Sequence, residues 1–586
     1  MENSSEQMKD TQQITRKKGG MRTMAFIIAN ETFEKVASFG LHVNMIFYLI
    51  NEYHLDPATG ASILFLWAAI SHFMPIIGAF VSDSYLGRFR VIAWATVISL
   101  HGNIVLWLTA FIPQARPPKC KMNVENCVSS NTGQLLLLYS SFALMSIGAG
   151  GIRPCSLAFG ADQINNPENP KNERTLQSFF NWYYASVGLS IMISVTVIVY
   201  IQDKKGWVVG FGIPVGLMLF STVMFFLGSF LYVKVKGKKS LFSGFAQVIA
   251  ATWKNRQLPL PPKYSETWYV QKGSKLVVPT DKLRCLNKAC TIRNPDKDLD
   301  SNGLAIDPWS LCTVRQVEEL KALIKVLPIW STGIILAVTI SQHTFPVLQA
   351  STMDRRLISN FEIPPSSFSV FAILAMVMWV AIYDRIVVPL LSKFTKLKKG
   401  LSFRQRMGIG LAISCVATAV AAEVERNRRN TAIREELSDN PKAVVNMSAM
   451  WLVLQYGLTG WAEAFNAIGQ IEFYYSQVPK SMSSIGVALL SLGMGVGNLV
   501  ATLIVKVIDT VTKRGGEVSW VAGNLNKGHY DYYYGILTIL GVVNLFYFLI
   551  CSWAYGSEED IKSWDEEDEE HKNDEENHPS KSSHVI

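Results

Sequence analysis

Apolar stretches long enough to cross a bilayer, which takes about 20 residues, recur twelve times along this 586-residue chain. They centre near Ile46, Phe73, Leu100, Leu144, Ile191, Met218, Ile335, Met376, Ile413, Leu458, Met494 and Val542. The polar intervals are short except one, residues 234–313, which is rich in Pro, Lys and Asn and divides the stretches six and six. The pattern predicts an all-α membrane protein: an N-terminal tail at 1–20, a six-helix bundle at 21–233, a linker at 234–313, a second six-helix bundle at 314–556 and a polar tail at 557–586. Within the linker, 241–253 reads as a short helix lying in the membrane interface.

Charges break the apolar pattern where they are costly. Glu31, Glu34 and Lys35 sit in the first span at spacings of three and four, so they share one helix face. Each charge in the hydrocarbon costs about 2.5–3.5 kcal/mol on insertion scales, which makes such residues candidates for carrying ions, protons or substrate. A structural alternative has Lys35 snorkelling to the surface with the acids neutralising it. Arg153 lies in span four among Gly148, Gly150 and Gly151, small residues that let a neighbouring helix approach. Glu463 lies in span ten beside Trp461 and Phe465. One charge belongs to each bundle, and a buried unpaired charge is costly, so a salt bridge between Arg153 and Glu463 across a central cavity is the expected pairing. A permanent helix clamp is the static alternative.

Composition narrows the class further. Charged residues make up 17% of the chain, against about a quarter in soluble proteins. The N-terminus lacks a cleavable leader pattern and carries Arg16-Lys17-Lys18, which favours a cytoplasmic start; an even number of spans returns the C-terminus to that side. Residues 557–586 hold twelve acids against three lysines, the composition of a solvated, unfolded tail. The interval 423–444 is expected to be an outer loop, in which Arg426, Arg428, Arg429 and Arg434 alternate with Glu423, Glu425, Glu435 and Glu436. Of eight cysteines, Cys120 and Cys127 share an expected outer loop where an oxidising exterior would permit a disulfide. A soluble basic module for nucleic acid, a Walker phosphate loop and a metal-spaced cluster are all missing, so neither a nucleic-acid partner, an enzyme, a metal nor an organic cofactor is expected. Opposite charges inside the membrane argue against a channel ring.

Between spans two and three stands Gly78-Ala-Phe-Val-Ser-Asp83-Ser-Tyr-Leu-Gly87-Arg88-Phe-Arg90. It resembles the loop motif of the major facilitator superfamily, and two six-helix halves joined by a cytoplasmic linker look like that fold. Gly78 and Gly87 suit close approach and a tight turn. Asp83 suits a helix end, and Arg88 a carboxylate partner. The motif is expected to govern conformation instead of substrate binding.

Five further stretches resemble the plant nitrate/peptide transporter family (NPF), part of the proton-dependent oligopeptide transporters. They are Asn30-Glu31-Thr-Phe-Glu34-Lys35; Gly148 to Cys155, running on to Gln163; Ser178 to Tyr184; Phe361-Glu362-Ile363-Pro364-Pro365; and Glu463 to Tyr475, followed by Pro479 and Met482. The opening Gly19-Gly20-Met21-Arg22-Thr23-Met24 is most similar to the first subfamily. The resemblance implies a proton-coupled symporter working by alternating access in a bilayer, at the plasma membrane. Glu31, Glu34 and Lys35 would couple protons, and Arg153 and Glu463 would bind substrate and gate. It sets no oligomeric state.

Substrate is the open question, since one scaffold serves many ligands. Nitrate carriers of the family use a histidine on span seven; the matching position here is Thr339. His343, read as one helical turn further on the same face, is a candidate donor. Tyr184, Trp330 and Phe465 are candidate cavity walls for something larger, such as a gibberellin. His42 and His72 read as ordinary packed residues. Low-affinity nitrate uptake is the first expectation; an organic substrate (a hormone, glycoside or peptide) and a ligand sensor without flux are the alternatives.

Overall fold

The computed structural model describes residues 19–118, 128–164, 172–234, 241–262, 265, 267–270, 278–301, 303–358, 361–395, 401–477 and 483–555. Both terminal tails, with Arg16-Lys17-Lys18 and the acidic segment, and the Cys120–Cys127 pair lie outside these residues.

The first half runs through α1 (Met24–Asn51), α2 (Pro57–Val81), α3 (Arg88–Phe111), α4 (Thr132–Ile164), α5 (Asn172–Ile193, continued to Lys205) and α6 (Trp207–Leu227). After α7 (Leu241–Lys254) come α8 (Val314–Ser341), α9 (Val370–Ile382, flanked by short turns), α10 (Phe403–Arg434), α11 (Leu452–Gln477), α12 (Ser483–Thr512) and α13 (Tyr530–Ala554). Ten helices among the described residues are long and apolar enough to cross a membrane. Two more, α1 and α11, are long enough but fall outside that apolar set, and they are the helices that carry Glu31, Glu34, Lys35 and Glu463. The chain is thus an all-α membrane protein of two helical halves.

Local sequence sets the helix starts. Thr313 with Gln316, and Ser402 with Gln405, form capping boxes at α8 and α10, each satisfying two otherwise orphaned N–H groups. Gly87 precedes α3 at φ +77°, a conformation that side chains resist.

Within the first half α3 packs along α4 and α6, and α2 along α4. In the second, α10 packs along α11 and α13, and α9 along α11. Helices α2 and α12 pair across the halves. A single apolar cluster spans both halves at the end where α1 stops, joining Tyr48, Phe65 and Trp67 to Phe345, Tyr530 and Tyr533. Ser366 Oγ donates to Asn44 Oδ1 at 2.7 Å, and Ser491 Oγ donates to the His72 carbonyl at 2.9 Å. The seam between the halves is closed at this end.

One expectation about the fold is corrected. The interval 423–444 is not a loop from its start: α10 continues to Arg434, because Glu425 and Arg428 are fully buried and bonded to each other. Arg428 also donates to Asn526 Oδ1, the Leu525 carbonyl and Thr352 Oγ1. The linker after α7 is anchored on α8. Thr280 donates twice to the Glu318 carboxylate, and Lys321 Nζ reaches the Thr280 carbonyl at 2.8 Å. Val248, Ala251, Cys290 and Cys312 join the apolar cluster around α8.

The tightest helix crossing is at Gly78, where an added Cβ would lie 2.0 Å from the Gly150 carbonyl oxygen. Gly148 and Gly151 meet Ser99 and Ala95 of α3 in the same way. Backbone cannot yield as a side chain does, so Gly78→Val is expected to destabilise the first half by at least about 1–3 kcal/mol. A lowered midpoint of thermal unfolding in detergent is the readout.

Candidate transport site

Three residues of α1 and one of α4 come together. Lys35 Nζ lies 3.3 Å from Glu31 Oε1 and 3.7 Å from Glu34 Oε2. Arg153 Nη2 lies 3.7 Å from Glu34 Oε1, which also accepts from Ser38 Oγ at 2.5 Å. Glu31 and Glu34 are buried, whereas the Arg153 side chain keeps 25% of its exposure. Glu34 Oε2 and Arg153 Nε have no hydrogen-bond partner. Glu31 Oε2 also lacks one, so both acids keep an acceptor without a hydrogen bond and Arg153 keeps such a donor. Aromatic rings border the cluster: Arg153 stands 6.0 Å over the Phe39 ring, and the Tyr183 hydroxyl faces Glu31.

The expected bridge from Arg153 to Glu463 is not formed; Arg153 turns to Glu34 within its own half. Glu463 is half-buried and has no ion-pair or hydrogen-bond partner among the described residues. It belongs to a polar stripe on α11 that also includes Gln455, Thr459, Asn466 and Gln470, spaced by three and four. Gln470 donates to Asn466 at 2.5 Å and accepts from the Tyr474 hydroxyl at 3.2 Å. Only Glu463 of this stripe was singled out from sequence; the spacing of the amides was the available signal for the rest.

The remaining candidates separate. Phe465 is two residues from Glu463, about 200° round the helix, and packs on Trp379 and Tyr383. Trp330 donates its indole N–H to the Leu489 carbonyl at 2.8 Å, an anchor of α8 on α12. Tyr183, not Tyr184, is buried against the acid cluster; Tyr184 is 62% exposed and meets Tyr183 edge to face. Thr339 is buried, with its hydroxyl bonded to the Ile335 carbonyl. His343 does not lie one turn along α8. The helix stops at Ser341, and His343 opens the next helix, Thr344–Ser351. In the loop motif, Arg88 Nη1 binds Asp162 Oδ2 of α4 at 2.6 Å, with Asp83 at 3.7 Å. That ties the start of α3 to the end of α4.

The POT family profile (PTR2) matches residues 89–521, nearly three quarters of the chain and all the spans from α3 to α12. The chain belongs to the POT family. The protein named NRT1/PTR FAMILY 1.1 of Arabidopsis thaliana is 54% identical over 567 residues, covering 95% of this chain and 96% of that protein. NRT1/PTR FAMILY 1.2 of the same plant is 53% identical, covering 92% and 90%. An auto-inhibited POT family peptide transporter superimposes with a TM-score of 0.67 at 20% identity, over 92% of this chain and 98% of that one, which shows the shared fold. This POT-family protein is therefore a multi-pass, proton-coupled membrane transporter of the NRT1/PTR group, and not an enzyme.

Proposed function

We propose that this chain is a proton-coupled symporter of a small anion, with nitrate the first choice, working by alternating access between its two halves. The charge count of the buried cluster carries the reading. Glu31 and Glu34 face Lys35 and Arg153, so two carboxylates balance two cations. One added proton leaves one uncompensated positive charge, and one anion neutralises it. Net charge in a poorly solvated site is penalised, so the site favours taking proton and anion together over either alone. Glu34 Oε2 is where the proton would sit, and Arg153 Nε is the donor left for an anion oxygen. Loss of the proton on the side where protons are scarce restores the Glu34–Arg153 contact and expels the anion. The unpaired Glu463 of the other half is the partner that Arg153 or a bound substrate would meet as the halves rock. Protons are the only coupling species required, and both termini are assigned to the cytoplasm of a plasma-membrane protein.

An organic anion is the second reading. Phe39 beneath Arg153 and Tyr183 beside Glu31 give the cluster more aromatic surface than a nitrate needs, and the solved relative above is named a peptide transporter. Uptake of labelled nitrate by expressing oocytes at acid and neutral external pH, with and without excess gibberellin, separates the two. Acid-stimulated nitrate accumulation that gibberellin leaves untouched is the expected result. Surface-expressed protein without nitrate flux overturns it.

A further inference from the structure

Charge outside the transport site is unevenly shared. Residues 557–586 hold twelve acids against three lysines, a net −9, and the linker 234–313 holds fourteen Lys and Arg against six Asp and Glu, a net +8. The structure brings the root of the tail to the linker's anchorage. Tyr555 follows α13 directly; its hydroxyl donates to Gln477 Oε1 of α11 at 2.6 Å, and its ring meets Phe473. Two cations stand over that ring, Lys325 of α8 at 4.9 Å and Arg404 of α10 at 5.4 Å. Arg404 Nη1 donates to the Ser552 carbonyl at 3.3 Å, while Nε and Nη2 have no hydrogen-bond partner. Lys325 lies one turn, about 6 Å, from Lys321 on the same face of α8, and Lys321 is bonded to the Thr280 carbonyl of the linker. Just beyond Thr280 come Lys282 and Arg284, both exposed. Arg284 pairs with Asp281 at 3.8 Å, with both side chains more than 60% exposed, an arrangement that contributes little. The acids of α8 nearby have partners of their own: Glu318 takes Thr280 and Lys321, and Glu319 takes Arg315.

We propose that the acidic tail docks back on this cationic surface, its first acids, Glu558, Glu559 and Asp560, engaging Arg404, Lys325, Lys282 and Arg284. Those acids begin three residues after Tyr555, and three to five extended residues reach at most about 10–18 Å, which covers the step from the Tyr555 ring to the linker. The Nε and Nη2 of Arg404 form the edge of the guanidinium on which one carboxylate binds through two parallel hydrogen bonds. Each exposed pair is weak alone, and several on one surface act together. Attachment at Tyr555 keeps the tail acids at an effective concentration on the order of millimolar, so a separate acidic partner competes poorly for the same cations. The docked tail fastens the linker, which joins the two halves, to α8 and α10 of the second.

Hydrogen exchange on the full-length protein in nanodiscs tests this without any substrate. Exchange over 278–297 is compared between the unaltered chain and the variant Glu558→Gln/Glu559→Gln/Asp560→Asn, which keeps the length of the tail. At about 0.15 M salt the variant is expected to exchange on the order of tenfold faster there, because several weak pairs are lost together. At about 1 M salt, where the screening length shrinks to about 3 Å, the unaltered chain is expected to match the variant. Equal exchange over α6 shows that both are folded. A carbodiimide, which joins carboxylates directly to lysine amines, supplies a second measurement on unaltered protein, in proteoliposomes holding isotope-labelled and unlabelled chains together. Links from residues 558–560 to Lys282 and Lys325 of the same chain are expected to outnumber those to Lys234, which sits over Phe89 of the first half. Linker exchange that is the same in both chains overturns the proposal. So does a tail crosslinked mainly to Lys234, or mainly to another chain, which would assign the acids to a neighbouring copy.

Discussion

Replacing Glu34 by Gln is expected to abolish accumulation driven by a pH gradient while leaving the protein folded and at the surface. Glutamine keeps the shape of the side chain and an oxygen that can accept from Ser38. It removes the negative charge that Arg153 and Lys35 both face. One carboxylate, Glu31, then stands against two cations, so the cluster carries permanently the positive charge that the unaltered protein acquires only with a proton. Anion binding survives, and exchange of labelled for unlabelled anion across the membrane continues. Net uphill uptake falls to the background of control cells, because no proton is bound and released in step with the anion. Parallel measurement of exchange and of gradient-driven uptake checks both halves of the claim. Uphill uptake retained in this variant would mean that the proton rides elsewhere.

Much of this site was legible because charges in an apolar helix are conspicuous. Glu31, Glu34 and Lys35 stood out by their cost, and their shared face followed from spacing alone. The glycines around Arg153 announced close crossings, which occur against α2 and α3. Partner choice was not legible. The pairing of Arg153 with Glu34, and not with Glu463, depends on how closely the halves approach at that level, which no spacing records. The register error at His343 has a local cause: α8 stops at Ser341, and the chain turns through Gln342 before the next helix begins.

The same limit explains the interval after α10. A run alternating Glu and Arg reads as solvated loop, since charges are seldom buried without partners. Here the partners are remote in sequence. Arg428 binds Glu425 through two 2.7 Å bonds from Nε and Nη2. It also reaches Asn526 and the Leu525 carbonyl, while Gln349 Nε2 donates to Glu425 Oε2 at 2.7 Å. Every member is satisfied, so the pair is tolerated at full burial and carries the helix onward.

Arg428→Ala is accordingly expected to be among the most damaging single changes in the second half. It leaves Glu425 buried without its cation and strips Asn526 and Leu525 of a donor, at a cost of about 3–5 kcal/mol. The double variant Glu425→Gln/Arg428→Met removes both charges and fills the space, and is expected to recover a large part of that loss, because well-packed apolar or neutral groups often replace a buried ion pair with little penalty. Thermal unfolding of Glu425→Gln, Arg428→Met and the double in detergent closes the cycle and isolates the pair from its surroundings. A double variant as unstable as the sum of its singles would show that Arg428 acts through Asn526 and Leu525 and not through Glu425. A strong coupling instead makes this pair the reason that α10 continues as helix to Arg434, and ties that helix end to the segments around Thr352 and Asn526 that close the same end of the half.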